Sequence, residues 1–398
     1  MKNKVIVGLQ WGDEGKGKII DALAKEADFA VRFNGGNNAG HTVIVDGVKH
    51  VFHCVPSAIL YPNCVSIISS GTVLDLEGLY KELSTLRDKG IKLNLKISPF
   101  AHVISPEHKQ RDAQQEAGTQ AIGTTKRGIG PCYADKALRT GIRIIDLYQD
   151  STAKNRLVEA GMDSKLLADI IEFLKPLVKD TQAILQQAIR DEKFILFEGA
   201  QGLMLDVDYG TYPYVTSSTT HPANAAVSNG IPCSALGEVM GVTKAYTTRV
   251  GKGPFPTELD TEAGERLRKA GNEFGATTGR PRRCGWLDLP QLKYAVKMAG
   301  VQKVIMTKLD ILAEMPEVKV CVNYKNKGSE MSGFSWDNSN PEYKTFDALP
   351  KLNWSKIKSW TELPTQIKEY IHFVEKEIAA PIEYVSFGPQ RDSLIQTR

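Results

Sequence analysis

The stretch VIVGLQWGDEGKGKIIDALA, residues 5 to 24, decides how the rest of the chain is read. Val5 to Leu9 is an apolar run that reads as a buried strand. Glycines at 12, 15 and 17 make a loop, and Ile19, Ile20, Leu23 and Ala24 then recur at helical spacing. Strand, glycine loop and helix together form a phosphate cradle. Glycine lets backbone N–H groups approach an anion closely, and the helix adds the positive end of its dipole. Lys16 and Lys18 supply charge. Gly12 to Lys18 satisfies G-x-x-x-x-G-K, yet Ile19 stands where a P-loop offers magnesium a hydroxyl. Asp13, inside the loop, is the carboxylate that could hold the metal instead, or act as a base beside it. The competing reading is a charged, glycine-rich turn with no ligand.

A length of 398 residues suits two or three ordinary domains, or one large α/β domain with elaborated loops. No repeat and no clear linker divides the chain, so a single domain over residues 1–398 is expected. A net charge of +4 is too weak for a nucleic-acid footprint, which assigns the basic clusters to small anions. The six cysteines, at 54, 64, 132, 233, 284 and 321, contain no C-x-x-C pair and point to a reduced, cytoplasmic protein. No stretch approaches membrane length, and the N-terminus leads straight into the phosphate loop rather than through a signal peptide.

Further along, strands and helices alternate. Phe29 to Phe33 and Val65 to Ser70 read as strands, Leu76 to Leu86 as an amphipathic helix, and Ile91 to Ile97 as an alternating strand. Asp163 to Arg190 is helical by pattern with a break at Pro176. The expectation is a large, mostly parallel central sheet with helices on both faces, with ligands gathered at the carboxyl ends of its strands.

Several loops have the composition of a site. Asn34 to Thr42 is glycine and amide with His41 at its end; imidazole there can donate to phosphate, although a hairpin turn with an incidental histidine fits as well. Gly118 to Lys136 reads as a long glycine- and threonine-rich loop with Lys126 and Arg127, and Arg139 and Arg143 follow it. Glu198 to Gly202 ends a short buried strand, and Gln201 could read a base edge. Thr216 lies in a hydroxyl-rich turn. Gly275 to Arg283 concentrates Thr277, Thr278, Arg280, Arg282 and Arg283, donors suited to carboxylates as well as phosphates. Thr307-Lys308-Leu309-Asp310 follows a strand at Val301 to Met306. Its aspartate can accept from guanine N1–H and the exocyclic amine, donors that adenine lacks, while the lysine stem covers the base. Residues 323 to 351 read as a polar surface excursion. A helix at Ile367 to Ile378 and a strand at Ile382 to Val385 then lead into Ser386-Phe-Gly-Pro389.

Taken in order, WGDEGKGK (11–18), GGNNAGHT (35–42), GTTKRGIGPCYADK (123–136), FEGAQG (197–202), GTYPYVTSS (210–218), GNEFGATTGRPRR (271–283), TKLD (307–310) and SFGP (386–389) make the chain resemble the adenylosuccinate synthetases from one end to the other. The resemblance implies a GTP-dependent ligase that joins IMP to L-aspartate, releases GDP and phosphate, passes through a 6-phosphoryl intermediate, uses Mg2+ and works as a homodimer. It also implies roles. Asp13, His41 and Gln201 are catalytic. Gly12, Gly15, Lys16, Gly17, Lys18, Thr42, Arg282, Lys308, Asp310, Ser386 and Gly388 take GTP. Asp13, Asn38, Thr125, Gln201, Thr216 and Arg280 take IMP, with Arg139 reaching in from the partner subunit. Ala276, Thr277, Thr278 and Arg280 take aspartate, and Asp13 with the Gly40 carbonyl holds the metal.

Two departures stand out: Pro281 interrupts a run that is all arginine in many members, and the later third is shorter than in many members. A GTP-binding switch is the rival from another class. It leaves the Gly123 to Pro131 and Thr277 to Arg283 segments without a use. An ATP-dependent ligase of similar layout is distinguished by Asp310.

Overall fold

In the strand β1 (Lys4–Gly8) Val5 and Val7 face one way and Ile6 the other, and all three are buried. A strand apolar on both sides belongs inside a parallel sheet covered twice by helices. The computed structural model describes residues 2–45, 47–119, 121–275, 279–325, 336 and 339–397. The main sheet has nine strands among the described residues. After β1 come β2 (Phe29–Arg32), β3 (Val65–Ile68), β4 (Leu95–Ile97), β5 (Ile195–Glu198), β6 (Glu238–Lys244), β7 (Lys303–Thr307), β8 (Ile382–Ser386) and β9 (Leu394–Gln396). Their order across the sheet is β9-β8-β7-β6-β1-β5-β2-β3-β4. Every neighbouring pair is parallel except β8 and β9.

The period-2 alternation sorts the core into two layers. On one face Ile6, Ala30, Leu196, Met240, Val242 and Ile305 pack with Ile19, Ile20 and Ala24 of the helix α1 (Lys16–Ala24). On the other, Val5, Val7, Val31, Phe197, Val304 and Met306 share a cluster with buried residues of the helices Leu289–Ala299 and Thr365–Ile378. The large parallel sheet with helices on both faces is the expected one.

The differences from the sequence reading have local causes. Strand β6, which pairs with β1 from Lys4↔Glu238 to Gly8↔Val242, carries no apolar run because Gly241 and polar ends interrupt it. Gly241 faces the Leu9 side chain so closely that a Cβ there would collide with it. The expected loop at Gly118 to Lys136 becomes helix from Ile129 to Leu138. Gly128 begins it in the left-handed region and Pro131 sits in its first turn, where no N–H is missed. Only Leu95–Ile97 of the Ile91 to Ile97 pattern is strand. Within the polar 323–351 stretch, Pro341–Asp347 pairs antiparallel with Glu317–Tyr324; exposed on one side, it shows no apolar alternation. The break at Pro176 separates Ser164–Leu174 from Thr181–Arg190 as expected.

Because the strands run parallel, β1, β2, β5, β7 and β8 all deliver the loops of interest to one edge of the sheet.

Candidate active site

The loop after β1 is built around a carboxylate. Gly12, Asp13 and Gly15 adopt φ of 85°, 59° and 93°, a left-handed path that turns the chain sharply into α1. Glu14 has no exposed surface and folds back beneath this loop. It accepts from the N–H groups of Gln10 (3.1 Å) and Gly12 (2.9 Å) and from the Lys16 ammonium (2.5 Å). Its own carbonyl accepts from Thr307 Oγ1 at 2.6 Å, which ties the loop after β1 to the end of β7. Asp13 instead keeps a side chain about a third exposed, with Arg282 Nε 2.8 Å from its Oδ2.

His41 stands against the first turn of α1. A Cβ on Gly17 would lie 2.7 Å from that of His41, so glycine is what allows the approach. Behind the imidazole lies Glu198, the fully buried end of β5. Glu198 Oε1 is bound to His41 Nδ1 and accepts from Arg32 Nη1 (2.9 Å) and Ser57 Oγ (3.1 Å), while Oε2 accepts from the Ser57 N–H (2.9 Å). Burial opposes ionisation of Glu198, but His41, Arg32 and the Ser57 N–H outweigh it and hold its carboxyl down at about 2. An ionised partner at Nδ1 requires a proton there, which leaves Nε2 for a ligand. Burial, and then the Arg32 charge, lower the pKa of His41, so proton donation from Nε2 requires negative charge arriving beside it.

Gln201 completes this end. It follows β5 with φ 57° and lies beside Gly12, whose added Cβ would be 3.7 Å from the Gln201 Cα. Its Nε2 donates to Asn38 Oδ1 at 3.1 Å, and its buried Oε1 has no partner among the described residues. The structure therefore brings together Asn38 and Gln201, two residues expected at one purine.

At the other end, Lys18 does not point at the phosphate loop. Its ammonium donates to Ser386 Oγ (2.8 Å) and to the carbonyls of Phe387 (3.0 Å), Gly388 (3.0 Å) and Ser393 (2.8 Å). Burial lowers its pKa to about 8. Asp310, across from this loop, has its carboxyl raised by burial, partly offset by a Gly388 N–H, and its Oδ1 is buried without a partner among the described residues. A buried, unsatisfied carboxylate oxygen is rare unless something else binds it.

Residues 273–275 and 280–282 lie antiparallel, with Gly275 N–H donating to Arg280 O (2.8 Å) and Arg282 N–H to Glu273 O (2.9 Å). Between them Ala276, Thr277 and Thr278 lie outside the described residues. Arg280 is exposed. Arg283 binds Glu258 and the carbonyls of Gly251 and Gly253, so this arginine of the basic constellation holds the fold. Thr125 is exposed and Thr216 half-buried; a Cβ on Gly130 would be 3.1 Å from Ser217 Oγ, which places the start of helix Ile129–Leu138 beside the Thr216 turn. Thr42 and His41 belong to the hairpin strand His41–Val45, with Gly40 just before it. Arg139 caps helix Ile129–Leu138 in the left-handed region, exposed.

Sequence reading assigned no role to Glu14, Glu198 or Glu273. Glu198 ends a strand, Glu14 directly precedes α1 and Glu273 follows the helix Glu262–Ala270; Glu198 and Glu273 have partners far along the chain, and the only local signal is an acid among glycines.

Loops carrying an acid, an imidazole, amides and an aspartate with an unpaired buried oxygen at one edge of a parallel sheet define an α/β enzyme of nucleotide chemistry. The sequence profile of the adenylosuccinate synthetase family matches residues 5–395. Adenylosuccinate synthetases of Helicobacter pylori (strain Shi470) and Halothermothrix orenii are 46% and 45% identical to this chain, covering 98% and 100% of it and 99% of their own lengths. The solved structure of a fully ligated adenylosuccinate synthetase from Plasmodium falciparum, 37% identical, superposes with a TM-score of 0.92 over 100% of both chains. The chain belongs to the adenylosuccinate synthetase family.

Glu198→Gln is expected to lower kcat by roughly 100-fold or more with little change in the KM for GTP, since it loosens the imidazole without touching substrate. Steady-state kinetics on the folded variant check this; an unchanged kcat would remove Glu198 from the mechanism.

Proposed function

We propose that the edge formed by the loops after β1, β2, β5, β7 and β8 carries out the family reaction with the residue roles that follow, as one functional unit. The family reaction joins IMP and L-aspartate at the expense of GTP, with Mg2+, in purine biosynthesis. The observation that supports the roles best is the flanking of the Gly12–Asp13 turn by Gln201 on one side and of the α1 start by His41 on the other. This closeness of the two segments to the loop after β1 supports assigning base, acid and purine-holding amide to them.

In the first step Asp13 accepts the N1 proton of IMP as O6 attacks the γ-phosphorus of GTP. The O6–P bond forms, the bond from phosphorus to the β-phosphate oxygen breaks, and GDP leaves. His41, backed by Glu198, donates from Nε2 to the phosphates; the incoming charge raises its proton affinity. Asn38, Gln201, Thr125, Thr216 and Arg280 orient IMP. Gly12, Gly15, Lys16, Gly17, Thr42 and Arg282 line the phosphates and ribose. Lys308, Asp310, Ser386 and Gly388 frame the guanine, with Lys18 supporting that loop. In the second step the neutral amine of aspartate attacks C6, the C6–O bond breaks, and phosphate departs with the proton that the amine gives up. Ala276, Thr277, Thr278 and Arg280 receive the carboxylates of aspartate. Positioning and charge neutralisation supply most of the rate.

The residues fit a magnesium site. No cluster of three or more metal-ligating side chains occurs among the described residues, and Asp13 offers one hard oxygen with the Gly40 carbonyl as a second. One carboxylate and a carbonyl suit Mg2+ when phosphates and water complete its octahedron. When bound, the ion neutralises charge on the transferring phosphoryl group.

The fold also suggests where a second subunit sits. Leu138, at the end of helix Ile129–Leu138 and next to Arg139, is 64% exposed, an apolar side chain at the surface. We assign this face to a homodimer in which Arg139 reaches the partner's IMP. No helix among the described residues is long and apolar enough to cross a membrane. All six cysteines are unpaired, which supports a reducing, cytoplasmic setting.

The direct test follows the ultraviolet absorbance rise on IMP conversion with each substrate omitted in turn. Product should require IMP, aspartate and GTP together, and Asp13→Ala should abolish it, by about 1,000-fold or more, in a folded protein. GTP hydrolysis indifferent to IMP and aspartate would favour a switch instead. Asp310→Asn should weaken GTP and improve xanthosine triphosphate, because an amide reverses one hydrogen-bond polarity; an unaltered preference in competition assays would refute the guanine assignment. Leu138→Asp should shift the sedimenting species from dimer to monomer and raise the KM for IMP, and a dimer that persists at micromolar concentration would place the interface elsewhere.

A further inference from the structure

Glu273 has no exposed surface, yet three cations surround its carboxylate. Lys244 Nζ lies 3.0 Å from both oxygens, Arg282 Nη1 2.7 Å from Oε2, and Lys308 Nζ 3.6 Å from Oε1; the Tyr246 hydroxyl also donates to Oε1. Lys244 is equally buried and donates to Thr248 Oγ1 at 2.6 Å, so this pair already balances its charge inside the protein. A buried carboxylate with a buried counter-ion does not need further cations for neutrality. The other two come from different elements and extend away from it in different directions. Arg282 continues from Glu273 to Asp13, with Nε 2.8 Å from Oδ2. Lys308, left-handed at φ 63°, also donates to Gly271 O at 2.6 Å and immediately precedes the segment that carries Asp310. The backbone bond from Arg282 N–H to Glu273 O, 2.9 Å, fixes the acid and the arginine to one another.

We propose that Glu273 is a positioning residue of the guanine-nucleotide site: one buried carboxylate that sets both Arg282, beside the base Asp13, and Lys308, beside the base-reading Asp310. This rests on the assignment of Lys308 and Asp310 to the nucleotide. Removing the carboxylate charge frees two long side chains that rotamer entropy then disperses. The nucleotide must order them on binding, whereas IMP, held by Asn38, Gln201 and the Thr216 turn, is little affected.

The test uses the full-length double variant Glu273→Gln/Lys244→Met, which removes both buried charges together so that neither is left uncompensated. GDP affinity is measured by calorimetry, and KM values for GTP and IMP by steady-state kinetics. GDP affinity and KM for GTP should worsen by about tenfold or more while KM for IMP stays within about twofold. GDP binding within about twofold of the parent, or equal weakening of GDP and IMP, would overturn the positioning role. Glu273→Asp keeps the pair with Lys244 but withdraws the carboxylate by one methylene; it is read by the same criteria and covers the case in which the double variant does not fold. Asp310→Asn, run alongside, separates the two readings. An unaltered base preference there removes the guanine assignment itself, whereas a shifted preference with normal GDP binding in the Glu273 variants removes only the role of Glu273.

Discussion

A carboxylate with no exposed surface must find donors inside the protein, because an unpaired buried charge costs several kcal/mol. At the carboxyl edge of this sheet three glutamates meet that constraint, and the side chains they recruit include Lys16, His41 and Arg282 of the candidate site. Glu14 gathers Lys16 and two loop N–H groups, Glu198 gathers Arg32, His41 and Ser57, and Glu273 gathers Lys244 and Arg282. Each acid belongs to a different segment; Glu14 holds its own loop together, whereas Glu198 and Glu273 hold partners from distant parts of the chain. The cleft is in this sense a set of compensated charges, and the positions of the basic residues follow from the positions of the acids.

The two lysines of the G-K-G-K run show how far local pattern carries. Their spacing along α1 makes both candidates for phosphate, and at sequence level nothing distinguishes them. In the fold, Lys16 meets the carboxylate under its own loop, whereas Lys18 crosses to the segment after β8 and ties down its carbonyls. Which direction each takes depends on β8 lying beyond β7 in the sheet, a long-range fact invisible in seven residues. The loop after β1 is fastened again by Thr307, so the TKLD segment contributes a structural bond to that loop besides the aspartate proposed to read the base.

The sheet itself was largely legible, because β1, β2, β3, β5, β7 and β8 are apolar on both faces and end in glycine or polar turns. Strand β6 escaped notice since its glycine serves the close packing of Leu9 rather than a turn, and helix Ile129–Leu138 because its first residues carry the composition of a loop. Asp13, His41, Gln201 and Asp310 could be singled out since each sits in a glycine-rich or strand-terminal stretch of unusual polarity. Glu198 and Glu273 could not: an acid at a strand end or after a helix acquires meaning only once His41 or Arg282 is known to lie against it.

Backbone strain separates the acids that position from the one proposed to react. Four residues among the candidates, Asp13, Arg139, Gln201 and Lys308, have left-handed φ of 59°, 65°, 57° and 63°, a conformation non-glycine residues rarely adopt. Asp13, Gln201 and Lys308 each follow a sheet strand, where a left-handed residue turns the chain off the sheet edge and projects its side chain into the cleft. Such strain persists only where surrounding structure over-determines it, and here the surroundings are the bonds of Glu14, Thr307 and Glu273. The buried glutamates therefore do what a reactive acid cannot: saturated with donors, they keep their geometry. Asp13 lies on the same loop as Glu14 yet is a third exposed and shares a single cation with Glu273, so it alone of these acids retains lone pairs for a proton and a metal. Exchanging residues 13 and 14 would invert that division, placing the shorter acid where it falls short of the Gln10 and Gly12 N–H groups and the longer one at the turn.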